Sequence, residues 1–143
     1  GGVCDRVFFF FHAEGGIRGR LVTGVRSCAL PICAYLATAL AHCSECHTPR
    51  NRLGGLEREK WFAGTEQGPD GRRVPNITPH GETGIGRWDG DDVAALLKTG
   101  LKPDYDDVQG AMEEAIDQGY KYLTDEDRAA IADYVMSDRK SVV

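Results

Sequence analysis

With 143 residues and 41% hydrophobic content, the chain can close one modest core and little more. A formal net charge of −5 argues against a nucleic-acid partner, and no apolar run approaches the length of a membrane span. Five cysteines do not make a disulfide framework here, because two fall in one short motif and three are scattered upstream of it.

Taken in chain order, residues 1–33 show no sustained helical or strand period, and Gly15, Gly16, Gly19 and Gly24 interrupt what there is. The apolar run at residues 7–11 is too short and too badly flanked for a secretory signal. Val22-Thr23-Gly24-Val25-Arg26-Ser27-Cys28-Ala29-Leu30-Pro31-Ile32 resembles the translation of a sequencing adapter, which has Gln-Thr where this chain has Arg26-Ser27. Asp138-Arg139-Lys140-Ser141-Val142-Val143 resembles the same read-through in another frame. Residues 1–33 and 138–143 are therefore read as non-native, disordered flanks, and Cys4, Cys28 and Cys33 receive no function.

Residues 34–41 are good helix formers, with Leu36 and Leu40 four apart on one face. They run into Cys43-Ser44-Glu45-Cys46-His47, the stretch that carries the chemistry. Two thiols three positions apart can each add to one vinyl group of a haem, and an imidazole directly after the second thiol is delivered to the iron. A thioredoxin-like redox pair expects a βαβ pattern that is missing. A structural zinc site needs four ligands, for which only His42 and His80 are at hand. Covalent attachment of this kind takes place outside the cytoplasm, so the targeting signal is expected to be absent from this stretch.

Beyond the motif, Thr48-Pro49 predicts a helix break, and Gly54-Gly55 a loop. Trp61 and Phe62 are expected to cover a flat apolar surface. Residues 67–88 are a long Gly- and Pro-rich loop, tolerable where irregular backbone wraps a cofactor. His80, within it, is read as solvated. Asp89 as N-cap, a Val93, Leu96 and Leu97 stripe, and Gly100 as stop predict one helix. Residues 113–118 form a short helical segment ending at Gly119. Thr124 caps a last helix with Ala130, Ile131, Tyr134 and Val135 on its buried face. With no period-2 strand, the predicted fold is small and all-α, with long loops around one cofactor.

Residues 34–137 resemble a class I c-type cytochrome domain, and more narrowly the cytochrome c subunits of membrane-bound alcohol, aldehyde and gluconate dehydrogenases and related di-haem cytochromes. The resemblance rests on Cys43-Ser44-Glu45-Cys46-His47-Thr48-Pro49-Arg50, Pro75-Asn76-Ile77-Thr78-Pro79, Thr83-Gly84-Ile85-Gly86-Arg87-Trp88, Gly110-Ala111-Met112 and Tyr122-Leu123-Thr124-Asp125. It implies one covalent haem c per chain, with His47 and Met112 as axial iron ligands and with Asn76 and Trp88 in the haem-packing loop. A soft thioether favours ferrous iron and raises the potential, and six-coordination suits outer-sphere electron transfer. Met136, the other methionine, sits near the end of the last helix, where packing explains it.

The resemblance implies an electron carrier with no catalytic residues, lying in the periplasm or on the periplasmic face of a bacterial inner membrane. Its redox partners would be a dehydrogenase subunit and a quinone- or oxidase-linked acceptor. The alternatives are a five-coordinate haem with peroxidase-like or gas-binding behaviour, in which Met112 does not ligate, and a Cys/His zinc module. Asp104, Asp106, Asp107, Glu113, Glu114 and Asp117 are read as a solvated acidic face in preference to a docking site for a basic partner.

Overall fold

A computed structural model describes residues 30–137; the adapter-like readings of residues 1–29 and 138–143 lie outside the described residues. The elements, in order, are α1 (Leu30–Tyr35), a π-helical turn (Leu36–Leu40), α2 (Cys43–His47), a 3₁₀ turn (Arg58–Lys60), α3 (Gly90–Thr99), α4 (Ala111–Gln118), a second 3₁₀ turn (Tyr120–Tyr122) and α5 (Asp125–Ser137). Among the described residues the extended backbone pairs only as isolated bridges, Arg50 with Leu56, Thr65 with Val74, and Leu101 with Asp107. The all-α expectation is met.

α3 forms where its local signals place it. Asp92 N–H donates to the Asp89 carboxylate at 2.8 Å, and Asp89 N–H donates back to Asp92 at 3.0 Å, a reciprocal cap that satisfies two orphan donors. Gly100 ends the helix at φ 78°, and its N–H reaches the Leu96 carbonyl. Val93, Leu96 and Leu97 are buried, each contributing about 1.5–3 kcal/mol of apolar transfer. Val93 and Leu97 share a core with Ile131, Ala132 and Val135 of α5, which also packs on α1 and the π-helical turn. Ala37, Ala41, Phe62, Ile131, Ala132 and Val135 complete the core, and Tyr134 flanks it. The Tyr134 ring meets Phe62 edge-on, with centroids 6.1 Å apart.

Two features depart from expectation. The helix predicted from residue 34 begins at Leu30, because Pro31 falls in the first turn, where its missing N–H is not needed. Cys33, given no role above, is only 2% exposed and packs as a small hydrophobe. The same stretch does not run as one α-helix either. At residues 36–40 it widens to a π turn closed by Ala41 N–H on the Leu36 carbonyl at 2.8 Å, and His42 then breaks it at φ 52°.

Arg128, on α5, is 4% exposed, which sequence pattern alone did not signal. Its guanidinium donates to the carbonyls of Tyr120, Lys121 and Leu123 and to the Asp125 carboxylate, locking the second 3₁₀ turn onto α5. Hydrogen bonds from Arg128 and Lys98 hold the exposed Asp125 carboxyl below the usual carboxylate range. A folded-state pKa below the unfolded value adds stability above the ordinary aspartate pKa, roughly 3.9, and loses it as pH falls through the lowered value. Asp125→Asn is therefore expected to lower stability at neutral pH, to change it little once the pH is below the lowered value, and so to flatten the acid limb between; thermal melts from neutrality into acid check this.

Candidate functional site

α2 is just over one turn long, so Cys43 and Cys46, three positions apart, lie on one face. Cys33, Cys43 and Cys46 are all free thiols. Burial pushes the Cys43 thiol up to about 11, with Cys46 adding to the rise and a backbone hydrogen bond opposing it. Cys46 is raised by burial first, then by Glu45 and Asp70, against Arg50. Both side chains are thus protonated thiols at neutral pH and weak nucleophiles without assistance. Among the described residues no three of His, Cys, Asp and Glu gather closely enough to hold a metal ion, so neither His42 nor His80 completes a zinc cluster with this pair.

His47 is 7% exposed at the end of α2. Its Nδ1–H donates to the Pro75 carbonyl at 2.8 Å, which fixes the tautomer and leaves Nε2 with a bare lone pair. No hydrogen bond from a described residue reaches Nε2. Burial lowers the imidazole pKa, only partly offset by the Pro75 bond, so the ring is neutral at pH 7. A buried, neutral, oriented nitrogen without a protein partner, one position after two thiols on a shared face, fits covalently attached haem with iron on Nε2.

The chain after His47 is stitched to the end of α2 at two points and to itself at two more. Gly64 N–H donates to the His47 carbonyl at 2.7 Å, and Phe62 N–H to Thr48 Oγ1 at 3.1 Å. Ile77 N–H donates to the Phe62 carbonyl at 3.0 Å, and Thr65 pairs with Val74. Residues 61–65 are therefore sandwiched between α2 and the 74–77 segment that carries the Pro75 carbonyl. Phe62, fully buried, holds a left-handed φ of 63° that costs about 1–2 kcal/mol and is fixed by hydrogen bonds on both its amide and its carbonyl. Gly64 has φ +81°, and a Cβ there would lie 2.7 Å from Val74 O and Asn76 N and 2.8 Å from Pro75 C. That close approach lets the Pro75 carbonyl reach the imidazole.

The other residues singled out above are distributed as follows. Met112 is the second residue of α4, after Gly110 at φ 69°, and packs against the core alongside Cys43, Trp61, Ile77, Ile85 and Trp88. Met136 borders the same core from the end of α5. The Asn76 side chain serves its own loop: Oδ1 accepts from Thr78 N–H at 2.8 Å and from Thr78 Oγ1 at 2.7 Å, while Nδ2 donates to Thr83 Oγ1 at 3.1 Å. His80 is half-buried, not fully solvated, and its Nδ1 accepts from Thr83 N–H at 3.2 Å. In the acidic face, Asp106 pairs with Lys102 and Asp117 with Lys121, with both carboxylates largely in solvent. Pro75 O, Gly64 and Tyr120 were not identified in advance, and Phe62 was expected only as cover for a flat apolar surface. A glycine two positions after the Trp61-Phe62 pair was the one available hint.

Among the described residues, five α-helices, one of them carrying an attachment motif of two thiols and an oriented imidazole, make the architecture of a small haem protein. A family profile described as Cytochrome c matches residues 35–138, and the chain belongs to the cytochrome c family, whose members bind haem c covalently and carry electrons. It is similar to a protein named diheme cytochrome c-type from Cereibacter sphaeroides, 44% identical over 102 residues that make up 71% of this chain and 32% of that protein. Similarity extends to the fructose dehydrogenase cytochrome subunit of Gluconobacter japonicus, 44% identical over 103 residues, 72% of this chain and 21% of the subunit. The cytochrome c subunit of the quinone-dependent alcohol dehydrogenase of Gluconobacter oxydans is 32% identical over 119 residues, 72% of this chain and 22% of the subunit. The chain thus spans between a fifth and a third of these curated relatives. Among the described residues, no helix is long and apolar enough to cross a membrane.

Proposed function

We propose that this domain holds one haem c through thioethers to Cys43 and Cys46, with His47 Nε2 and Met112 Sδ on the two iron faces, and relays single electrons. The observation that carries this reading is the buried His47 ring, whose Nδ1 is committed to Pro75 O at 2.8 Å and whose Nε2 is left free beside two unpaired thiols. Once bound, the haem iron supplies reversible one-electron chemistry. The residues supply position and exclusion. His47 donates Nδ1–H to a carbonyl, which makes Nε2 a stronger donor to iron. Met112 would close the second face with a soft thioether, favouring the ferrous state and denying access to small ligands. Phe62, Ile77, Ile85 and Trp88 exclude water from the core beside the motif. The protein itself does no bond chemistry in this reading.

Partner and location follow from the relatives. A dehydrogenase subunit as electron donor, a quinone- or oxidase-linked acceptor, and a site in the periplasm or at the periplasmic face of the inner membrane are the roles the resemblance supports. The attachment test is direct. Wild-type protein should keep its haem through acid–acetone extraction and stain for it on a denaturing gel. Cys43→Ala or Cys46→Ala should leave a single thioether and a less stable protein. The double variant should release all haem; retention would show that the thioethers are misassigned.

A further inference from the structure

We propose that Tyr120 is a positioning residue for the attachment motif, tethering the kink from which α2 springs. The inference rests on reading Cys43, Cys46 and His47 as the haem anchorage.

The geometry begins at the π-helical turn. Its final amide, Ala41 N–H, is spent on the Leu36 carbonyl, and the chain then turns through His42 in the left-handed region before α2 starts. Helix continuation cannot satisfy the Ala41 carbonyl across such a kink, and Ala41 is 3% exposed, so bulk water does not reach it either. The Tyr120 hydroxyl donates to that carbonyl from 79 positions further along the chain. Tyr120 is not itself free to move: Arg128, nearly fully buried, donates to its carbonyl at 3.1 Å and to the carbonyls of Lys121 and Leu123. The kink is thereby referred to α5 through a run of three fixed groups. Since Cys43 lies two residues after Ala41 and His47 ends the same short helix, the angle at the kink decides where both thiols and the imidazole point.

Burial pushes the phenol pKa well above its ordinary value, and the neighbouring Cys43 and Cys46 push it the same way, so the hydroxyl stays protonated and remains a donor. The ring packs on the core, so removing the oxygen alone preserves the packing.

Tyr120→Phe tests this. Amide hydrogen exchange at residues 45–47 should accelerate roughly fivefold, the factor one typical buried hydrogen bond commands, while α3 amides keep their wild-type rates. The reduction potential of the haem-loaded variant should move from the wild-type value, because the imidazole is no longer held at one angle. Tyr122→Phe, at an exposed ring two residues on, should alter neither. Arg128→Lys, which frees the Tyr120 carbonyl, should reproduce the local exchange signature and serves if the phenylalanine variant folds poorly. Exchange at 45–47 within twofold of wild type, with an unchanged potential, overturns the proposal. Equal acceleration across α3 overturns it too, since that is general destabilisation. The exchange comparison is made on wild type and variant as each is isolated, and it reads backbone hydrogen bonds and not the cofactor. A wild type lacking covalent haem would therefore sink the attachment reading, while the exchange rates would still decide the role of Tyr120.

Discussion

Gly64→Ala is expected to destabilise the domain by about 3 kcal/mol, a large part of the roughly 5–15 kcal/mol that holds a domain together. Two costs combine. An alanine at φ +81° pays about 1–2 kcal/mol for the left-handed backbone, and its Cβ would press on backbone atoms at 2.7–2.8 Å, adding roughly 1–3 kcal/mol of overpacking. The obstructing atoms are Val74 O, Pro75 C and Asn76 N, none of them the far end of a flexible side chain, so relief requires the whole 74–76 segment to move. That motion pulls the Pro75 carbonyl from His47 Nδ1. The variant should therefore show two linked signatures, a lower midpoint in denaturant and a raised reduction potential, because an imidazole without its acceptor donates less to iron. A variant with wild-type stability would mean that the close approach is not real.

Met112→Ala should have the largest effect on the redox chemistry. The haem should stay attached, because the thioethers to Cys43 and Cys46 do not involve Met112. Loss of the sulfur ligand should give a high-spin iron or one bound by a replacement ligand. The potential should fall by a sizeable part of the roughly 0.8 V range over which axial ligands set it. In the ferric wild type, a sulfur-to-iron charge-transfer band in the near infrared should be present, and it should vanish in the variant. Met136→Leu supplies the comparison: near the end of α5 it should keep both band and potential. A wild type lacking the band would instead favour the five-coordinate alternative.

What could be read ahead of the structure was local. Asp89, Asp92 and Gly100 each signal a helix end through chemistry within four residues of themselves, and α3 sits where they said. Thr124 is similar, with Asp127 N–H on its hydroxyl at 3.1 Å. The thiols and imidazole of the attachment motif are likewise contiguous, so their chemistry is written in spacing. What could not be read depends on partners far away in sequence. The Pro75 carbonyl is an ordinary backbone atom until it lies 2.8 Å from a ring 28 positions earlier. Nothing in the local pattern marks Arg128 for burial, and it is buried where three carbonyls of the preceding turn converge on it. The resemblance put Asn76 in the haem-packing loop; that its side chain closes the loop through Thr78 and Thr83 is a detail that residue type does not carry. The early start of α1 was hidden by the adapter resemblance, which set residues 1–33 aside, Pro31 included, although a proline suits the first turn of a helix.

The π-helical turn at residues 36–40 makes chain length a specified quantity in this part of the protein. A π turn is an α-helix with one residue too many, and the surplus is absorbed by a five-residue step from the Leu36 carbonyl to Ala41 N–H. Side-chain replacements here leave that step intact if they keep the small buried face of Ala37 and Ala41. Deleting any one residue would not. The stretch would relax to ordinary α-helix, and everything upstream would rotate by about 100° and shift by about 1.5 Å relative to Cys43. Cys33 would then swing out of the core, or the two attachment thiols would swing away from it. Relatives that keep both ends in place must therefore match this segment in residue number even where they share none of its identities.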